Sequence, residues 1–114
     1  MNTELETALS AINRQDYAEA VKLLHPLAEA GHATAQSNLG TLYQLGLGVP
    51  RDLPEGVRWL KLAVEQGDGA AAHNLGTIYL TGSHEIPIDM VASKEWYRKA
   101  RELGFEAADS KWYE

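Results

Sequence analysis

The 114-residue chain reads as an all-α protein, a right-handed α–α solenoid of helix hairpins with about seven helices. The first observation behind this is an internal repeat. Residues 31–46 (GHATAQSNLGTLYQLG) and 67–82 (GDGAAAHNLGTIYLTG) share Gly31/Gly67, Ala35/Ala71, Asn38/Asn74, Leu39/Leu75, Gly40/Gly76, Thr41/Thr77, Tyr43/Tyr79 and Gly46/Gly82 at a shift of 36. Residues 49–67 and 86–104 align at a shift of 37, with one residue inserted in Ser83-His84-Glu85. The identities there are Pro50/Pro87, Asp52/Asp89, Trp59/Trp96, Ala63/Ala100, Glu65/Glu102 and Gly67/Gly104. Upstream, residues 15–31 match 51–67 at Asp16/Asp52, Glu19/Glu55, Val21/Val57, Leu24/Leu60, Glu29/Glu65 and Gly31/Gly67. The second observation is helical periodicity inside each unit.

Taken in order, helices are expected at 3–13, 17–30, 32–46, 53–66, 68–82, 89–103 and 105–113. The first two form a leading pair. Pro26 lies inside the second, where it removes a backbone donor, and predicts a kink. In 32–46, Ala35, Leu39, Leu42 and Gly46 fall on one side of a helix. In 53–66, Val57, Leu60 and Val64 do the same beside Trp59 and Ala63. Asp52 before Leu53-Pro54-Glu55 reads as an N-cap with Pro in the first turn and Glu at N3, and Asp89 is its counterpart. Gly31, Gly67 and Gly104 sit where helices stop in the left-handed conformation. Gly40 and Gly76 each cost roughly 1 kcal/mol relative to Ala inside a helix. Their recurrence points to close approach of the partner helix, with Tyr43 and Tyr79 packing one turn later. The units divide the chain into 1–31, 32–67, 68–104 and a closing helix at 105–114.

Composition narrows the class of function. The 10 Lys and Arg against 16 Asp and Glu give a net charge of −6, a poor balance for nucleic acid. Residues 1–66 and 67–114 carry five basic and eight acidic groups each, so neither half is a charged tail. Cysteine is absent, which removes disulfides, thiolate zinc sites and a cysteine nucleophile and fits the cytoplasm. The N-terminus shows no signal peptide, and no stretch is apolar for long enough to span a membrane. The starting Met and the short final segment with Trp112 and Tyr113 read as a complete, self-capped protein.

The pattern resembles the Sel1-like repeat family, a branch of the tetratricopeptide-type solenoids. The first full unit supplies Ala35, Leu39-Gly40, Tyr43, Gly46-x-Gly48-Val49, Asp52, Trp59, Ala63 and Gly67. The second supplies Ala71, Leu75-Gly76, Tyr79, Gly82, Asp89, Trp96, Ala100 and Gly104. The leading pair, with Asp16-Tyr17-x-Glu19-Ala20, is more like a plain tetratricopeptide unit. Departures are Gly56 and Ser93 where the family has a small Ala, and Ser83-His84-Glu85-Ile86 in place of the second Gly-x-Gly-Val loop. The resemblance implies a disulfide-free, non-secreted member and a role in protein–protein interaction, as adaptor, scaffold or regulator, such as a toxin-neutralising partner in a bacterium.

Motifs for chemistry are missing. His25, His32, His73 and His84 form no zinc-binding spacing, so neither metal nor other cofactor is expected. Gly46-Leu47-Gly48 follows a helix and lacks the Lys-Ser/Thr of a phosphate loop. Some proteins of the resembled family are associated with β-lactam hydrolysis, yet no Ser is followed three residues later by Lys. The expectation is a non-enzyme, with a β-lactamase-like hydrolase as one alternative and self-assembly through the solenoid ends, as a weak homo-oligomer, as another. Lys94, Arg98 and Arg101 form a stripe laced by Glu95–Lys99 and Arg98–Glu102 pairs, read as a solvated face.

Repeat proteins of this build bind partners on the concave face lined by first helices. On 32–46 the side opposite the core carries Ser37, Thr41 and Gln44. On 68–82 the equivalents are His73, Thr77 and Leu80, with Asn38 and Asn74 on the flank. Ser37, Asn38, Thr41, Gln44, His73, Asn74 and Thr77 are therefore the candidate partner-binding residues for a peptide or partner helix. The face is polar and uncharged, without Lys/Arg pairs to clamp a C-terminal carboxylate.

Overall fold

The computed structural model describes residues 3–106. Six helices occupy them: α1 Thr3–Asn13, α2 Tyr17–Glu29, α3 Ala33–Leu45, α4 Leu53–Glu65, α5 Gly69–Thr81 and α6 Met90–Glu102. No strand occurs among the described residues. The closing helix expected at 105–113 falls almost wholly outside them.

Helix starts follow local chemistry. The Asp52 carboxylate accepts the Glu55 N–H at 3.1 Å, and Asp89 accepts that of Ala92 at 3.0 Å, as the spacing predicts. Asp16 and Asp68 do the same at the heads of α2 and α5. Each such cap is worth about 1 kcal/mol. His32 stands at the N-cap of α3 and makes no capping bond through its side chain. Gly31, Gly67 and Gly104 follow α2, α4 and α6 with φ of 98°, 93° and 90°, a region that penalises any side chain. Pro26 does not end α2, which runs on for three more residues to Glu29.

Each helix packs on the next in the chain, and the first helices of successive units, α3 and α5, also touch. One core cluster joins α1, α2 and α3 around Leu24, Leu39 and Leu42, with Trp59 reaching in from α4. A second joins α4, α5 and α6 around Leu60, Leu75, Ile78 and Ala100. The recurring glycines do bring helices close. A Cβ on Gly40 would lie 2.8 Å from the Leu60 side chain and 3.0 Å from the Gly56 carbonyl. One on Gly76 would lie 2.8–2.9 Å from three ring atoms of Tyr97. Gly56 in turn backs onto the Gly40 carbonyl, whereas Ser93, its counterpart, donates its hydroxyl to the Gly76 carbonyl at 2.8 Å. The two departures from a small Ala are thus two solutions to one close helix crossing.

Candidate functional site

The predicted face is partly built as expected. Thr41 on α3 and Asn74 on α5 meet: the Asn74 amide donates to Thr41 Oγ1 at 2.9 Å, while that hydroxyl donates to the Ser37 carbonyl. A Ser, Thr or Asn side chain can bond along its own helix or across to a neighbour, and Thr41 does both. Asn38 is half-buried and donates to the Thr34 carbonyl of its own helix. One unit earlier Leu5 stands where Thr41 would, so Asn38 has no hydroxyl across the junction to bond.

Other members are turned elsewhere. Ser37 was expected to face solvent, but it is only 7% exposed. α3 is packed by α2, α4 and α5, and this short side chain does not reach past them to solvent. Gln44 is half-buried beside the Gly56 crossing, and its Oε1 has no hydrogen-bond partner among the described residues. His73 packs toward α6, its ring 5.0 Å from those of Tyr97 and Phe105. Thr77 Oγ1 shares a 2.7 Å hydrogen bond with the Tyr97 hydroxyl. The half-exposed remainder of the face is Asn38, Thr41, Asn74 and the rims of His73 and Thr77.

Sequence reasoning missed a second pair of surfaces, the grooves between second helices. The groove between α2 and α4, about 460 Å³, is lined by Ala28, Glu29, Gln36, Arg58, Trp59 and Leu62. That between α4 and α6, about 550 Å³, is lined by Lys61, Val64, Glu65, Glu95, Trp96 and Lys99. The repeat shift maps most of one set onto the other: Ala28 onto Val64, Glu29 onto Glu65, Arg58 onto Glu95, Trp59 onto Trp96, Leu62 onto Lys99. The recurring Trp was the available signal, but its periodicity alone reads as core.

The side chains around the α2/α4 groove are paired with one another. Trp59 donates its indole N–H to Glu55 Oε2 at 3.0 Å, and Arg58 forks onto the same carboxylate at 2.8 and 3.2 Å. The Arg58 guanidinium also lies 4.3 Å from the Trp59 ring centroid, within cation–π range. His25 meets Trp59 and Tyr43 edge-on and bridges Glu29 and the Tyr43 hydroxyl at 3.1 and 3.2 Å. A carboxylate only accepts, so Nδ1–H donates to Glu29, and in the neutral ring Nε2 accepts the Tyr43 proton. The Arg58 hydrogen bond holds the Glu55 carboxyl below its ordinary range against the opposing effect of burial, helped by the Trp59 N–H. Burial, then the charges of Glu55 and Asp52, push the Tyr43 hydroxyl up. Below this network, buried Gln36 donates to the Ala28 carbonyl and accepts from Gln66, which also donates to the Gly31 carbonyl.

The Sel1 repeat model matches at residues 12–32, 33–68 and 69–105. A crystal structure of a protective antigen from uropathogenic Escherichia coli strains, displaying an SLR fold, superposes with a TM-score of 0.80 at 39% identity over 90% of this chain. A Sel1 repeat protein from Oxalobacter formigenes superposes with a TM-score of 0.80 at 31% identity over 92%. The chain spans 22% and 41% of those two proteins, well short of their full lengths. No curated protein matches.

Proposed function

The chain belongs to the Sel1 repeat family, whose members generally act in protein–protein interaction, and from that premise we propose that it is a non-catalytic binding module whose α3/α5 face receives a peptide segment or partner helix. The observation that carries this reading is the Asn74–Thr41 hydrogen bond. It locks the first helices of successive units side by side and leaves one polar, half-exposed strip across both. A strip held rigid before binding loses little entropy on association. The residues assigned to it are Asn38, Thr41, His73, Asn74 and Thr77, with the exposed Thr34 and Thr81 at its ends. Ser37 drops out because it is buried.

The strip is nearly neutral, which suits a peptide backbone or an uncharged helix face better than a charged terminus. No helix of the described residues is long and apolar enough to cross a membrane. The cysteine-free composition and the bacterial source of the similar structures support a bacterial, cytoplasmic setting. The domain division at 1–31, 32–67, 68–104 and 105–114 belongs to the same reading.

The test is affinity capture from a lysate of the source cell with the full chain and with an Asn38→Arg/Thr81→Arg double variant. Thr81 is exposed and Asn38 half-exposed, so both Arg side chains reach solvent, and an unchanged melting transition verifies that the fold is retained. Loss of a captured protein supports the face, and unchanged recovery rejects it. Nitrocefin should remain uncleaved by the same preparation.

A further inference from the structure

We propose that the groove between α4 and α6 is a second docking site, built for a partner peptide that presents an acidic side chain beside an aliphatic one. The template lies one unit earlier in the same molecule. There, Trp59 has its N–H bonded by Glu55, its face covered by Arg58 and its edge met by His25. It is 3% exposed. One unit later the Trp is kept, as Trp96, and all three companions are gone. Ala92 stands in the place of Glu55, Glu95 in that of Arg58, and Lys61 in that of His25.

The consequences are visible. Trp96 is only partly buried, and its indole N–H makes no hydrogen bond among the described residues. The groove beside it, about 550 Å³, is somewhat larger than the 460 Å³ beside Trp59. Lys61 and Lys99 close no ion pair within 4.0 Å among the described residues. The groove therefore offers one indole donor, two ammonium groups beside the carboxylates of Glu65 and Glu95, and an apolar floor of Trp96 and Val64.

That set selects its occupant by chemistry. An indole N–H only donates, so the group that settles on it must accept. In the preceding unit that group is a carboxylate. Lys61 occupies the position of His25, on the helix that faces the missing Glu55, so a carboxylate arriving there also gains a positive neighbour. A charge-assisted bond of this kind is stronger than a neutral one. An aliphatic neighbour on the peptide covers the Trp96 face that Arg58 covers on Trp59. A cationic guest offers the indole N–H nothing to bond. Glu65 and Glu95 at the rim disfavour runs of acidic residues, so the fit is one carboxylate flanked by apolar groups.

The full chain, labelled with nitrogen-15, is titrated with acetyl-Gly-Leu-Glu-Leu-Gly-amide while the indole N–H resonances of Trp96 and Trp59 are followed. Trp96 should shift and Trp59 should not. The same peptide with Gln in place of Glu should bind about tenfold more weakly. Ala92→Glu provides the decisive variant. The N–H of position 92 donates the N-cap bond to the Asp89 carboxylate from N3, where Glu is favoured, so the fold is undisturbed while the introduced carboxylate occupies the indole donor. Its melting temperature should hold or rise, and the peptide shift of Trp96 should vanish. The proposal is overturned by any of four results: no Trp96 shift at millimolar peptide, equal binding of the Gln or a Lys peptide, unchanged binding by Ala92→Glu, or shifts confined to Asn38 and Asn74. A Trp96 shift that tracks protein concentration without peptide assigns the groove to a second copy and also overturns it.

Discussion

The junction of α2, α3 and α4 and the junction of α4, α5 and α6 share a backbone plan, yet they are held by different chemistry. At the first, polar groups sit on the second-helix side: His25, Glu29, Tyr43, Glu55 and Arg58 enclose Trp59, and Gln36 joins Gln66 beneath them. At the second, that side is stripped. Ala72 and Leu103 replace the two glutamines, and Trp96 loses its acceptor. The hydrogen bonds move to the other side of the crossing, as Asn74–Thr41, Thr77–Tyr97 and Ser93–Gly76. The loops differ in the same way. Gly48, with φ of 78°, lies against the backbone of Tyr17 and Ala18, so the first loop is pinned to the head of α2. The second loop bonds within itself, through Ser83 accepting the N–H groups of Glu85 and Ile86, and rests on the second core cluster through Ile86. Repetition conserves the helix spacing, and each unit is free to choose how it satisfies its polar groups and which surface it leaves open.

The sharpest way to break the equivalence is at the tryptophans. Trp59→Ala should cost about 3–5 kcal/mol, because a buried ring leaves a cavity and Glu55 loses one of its donors. Trp96→Ala should cost clearly less, since part of that ring is already in water. Equal losses in urea melts would contradict the contrast. The loops come next. Gly48→Ala should cost about 2–3 kcal/mol, through a clash with the Tyr17 backbone and a left-handed conformation that a side chain resists. His84→Ala, at the corresponding place in the second loop, should stay within about 0.5 kcal/mol.

Smaller effects probe the displaced hydrogen bonds. Ser93→Ala removes the bond to Gly76 and should cost about 1 kcal/mol, while Gly56→Ala at the matching site should cost more because it meets the Gly40 carbonyl. The smallest effect is pH-dependent. Glu55 has its carboxyl held down by the Arg58 hydrogen bond, so it stabilises the fold above its unfolded pKa. That contribution is lost as the pH falls through the lower folded value. Glu55→Gln should flatten this acid limb by less than about 1 kcal/mol, the pair being partly exposed. An unaltered limb would show that Glu55 carries no such linkage.

Much of the architecture was legible in residue spacing. The recurrence of Gly40 and Gly76 announced two tight crossings, and Asp52 and Asp89 announced two helix starts, because caps and close approaches depend on one residue type at one place. Asp68 escaped notice as a cap since it follows Gly67 directly and lacks a partner signal at N3. The candidate strip was read less well. Ser37, His73 and Thr77 are polar on a helical wheel, but a wheel shows one helix and not the two that flank it. Tyr97 reaches Thr77 from α6, and the neighbouring helices cover Ser37.

From the sequence alone came the all-α solenoid, the unit length, the hairpin order and the family, all of which rest on local pattern and on its repetition. Only the tertiary structure decided that Trp59 is enclosed and Trp96 open. That distinction depends on residues 4 to 35 positions away, His25 and Glu55 at the one tryptophan and Lys61 and Ala92 at the other. Burial is a property of the packed assembly of helices, and side chains that are equivalent along the chain become inequivalent once different neighbours stand across from them.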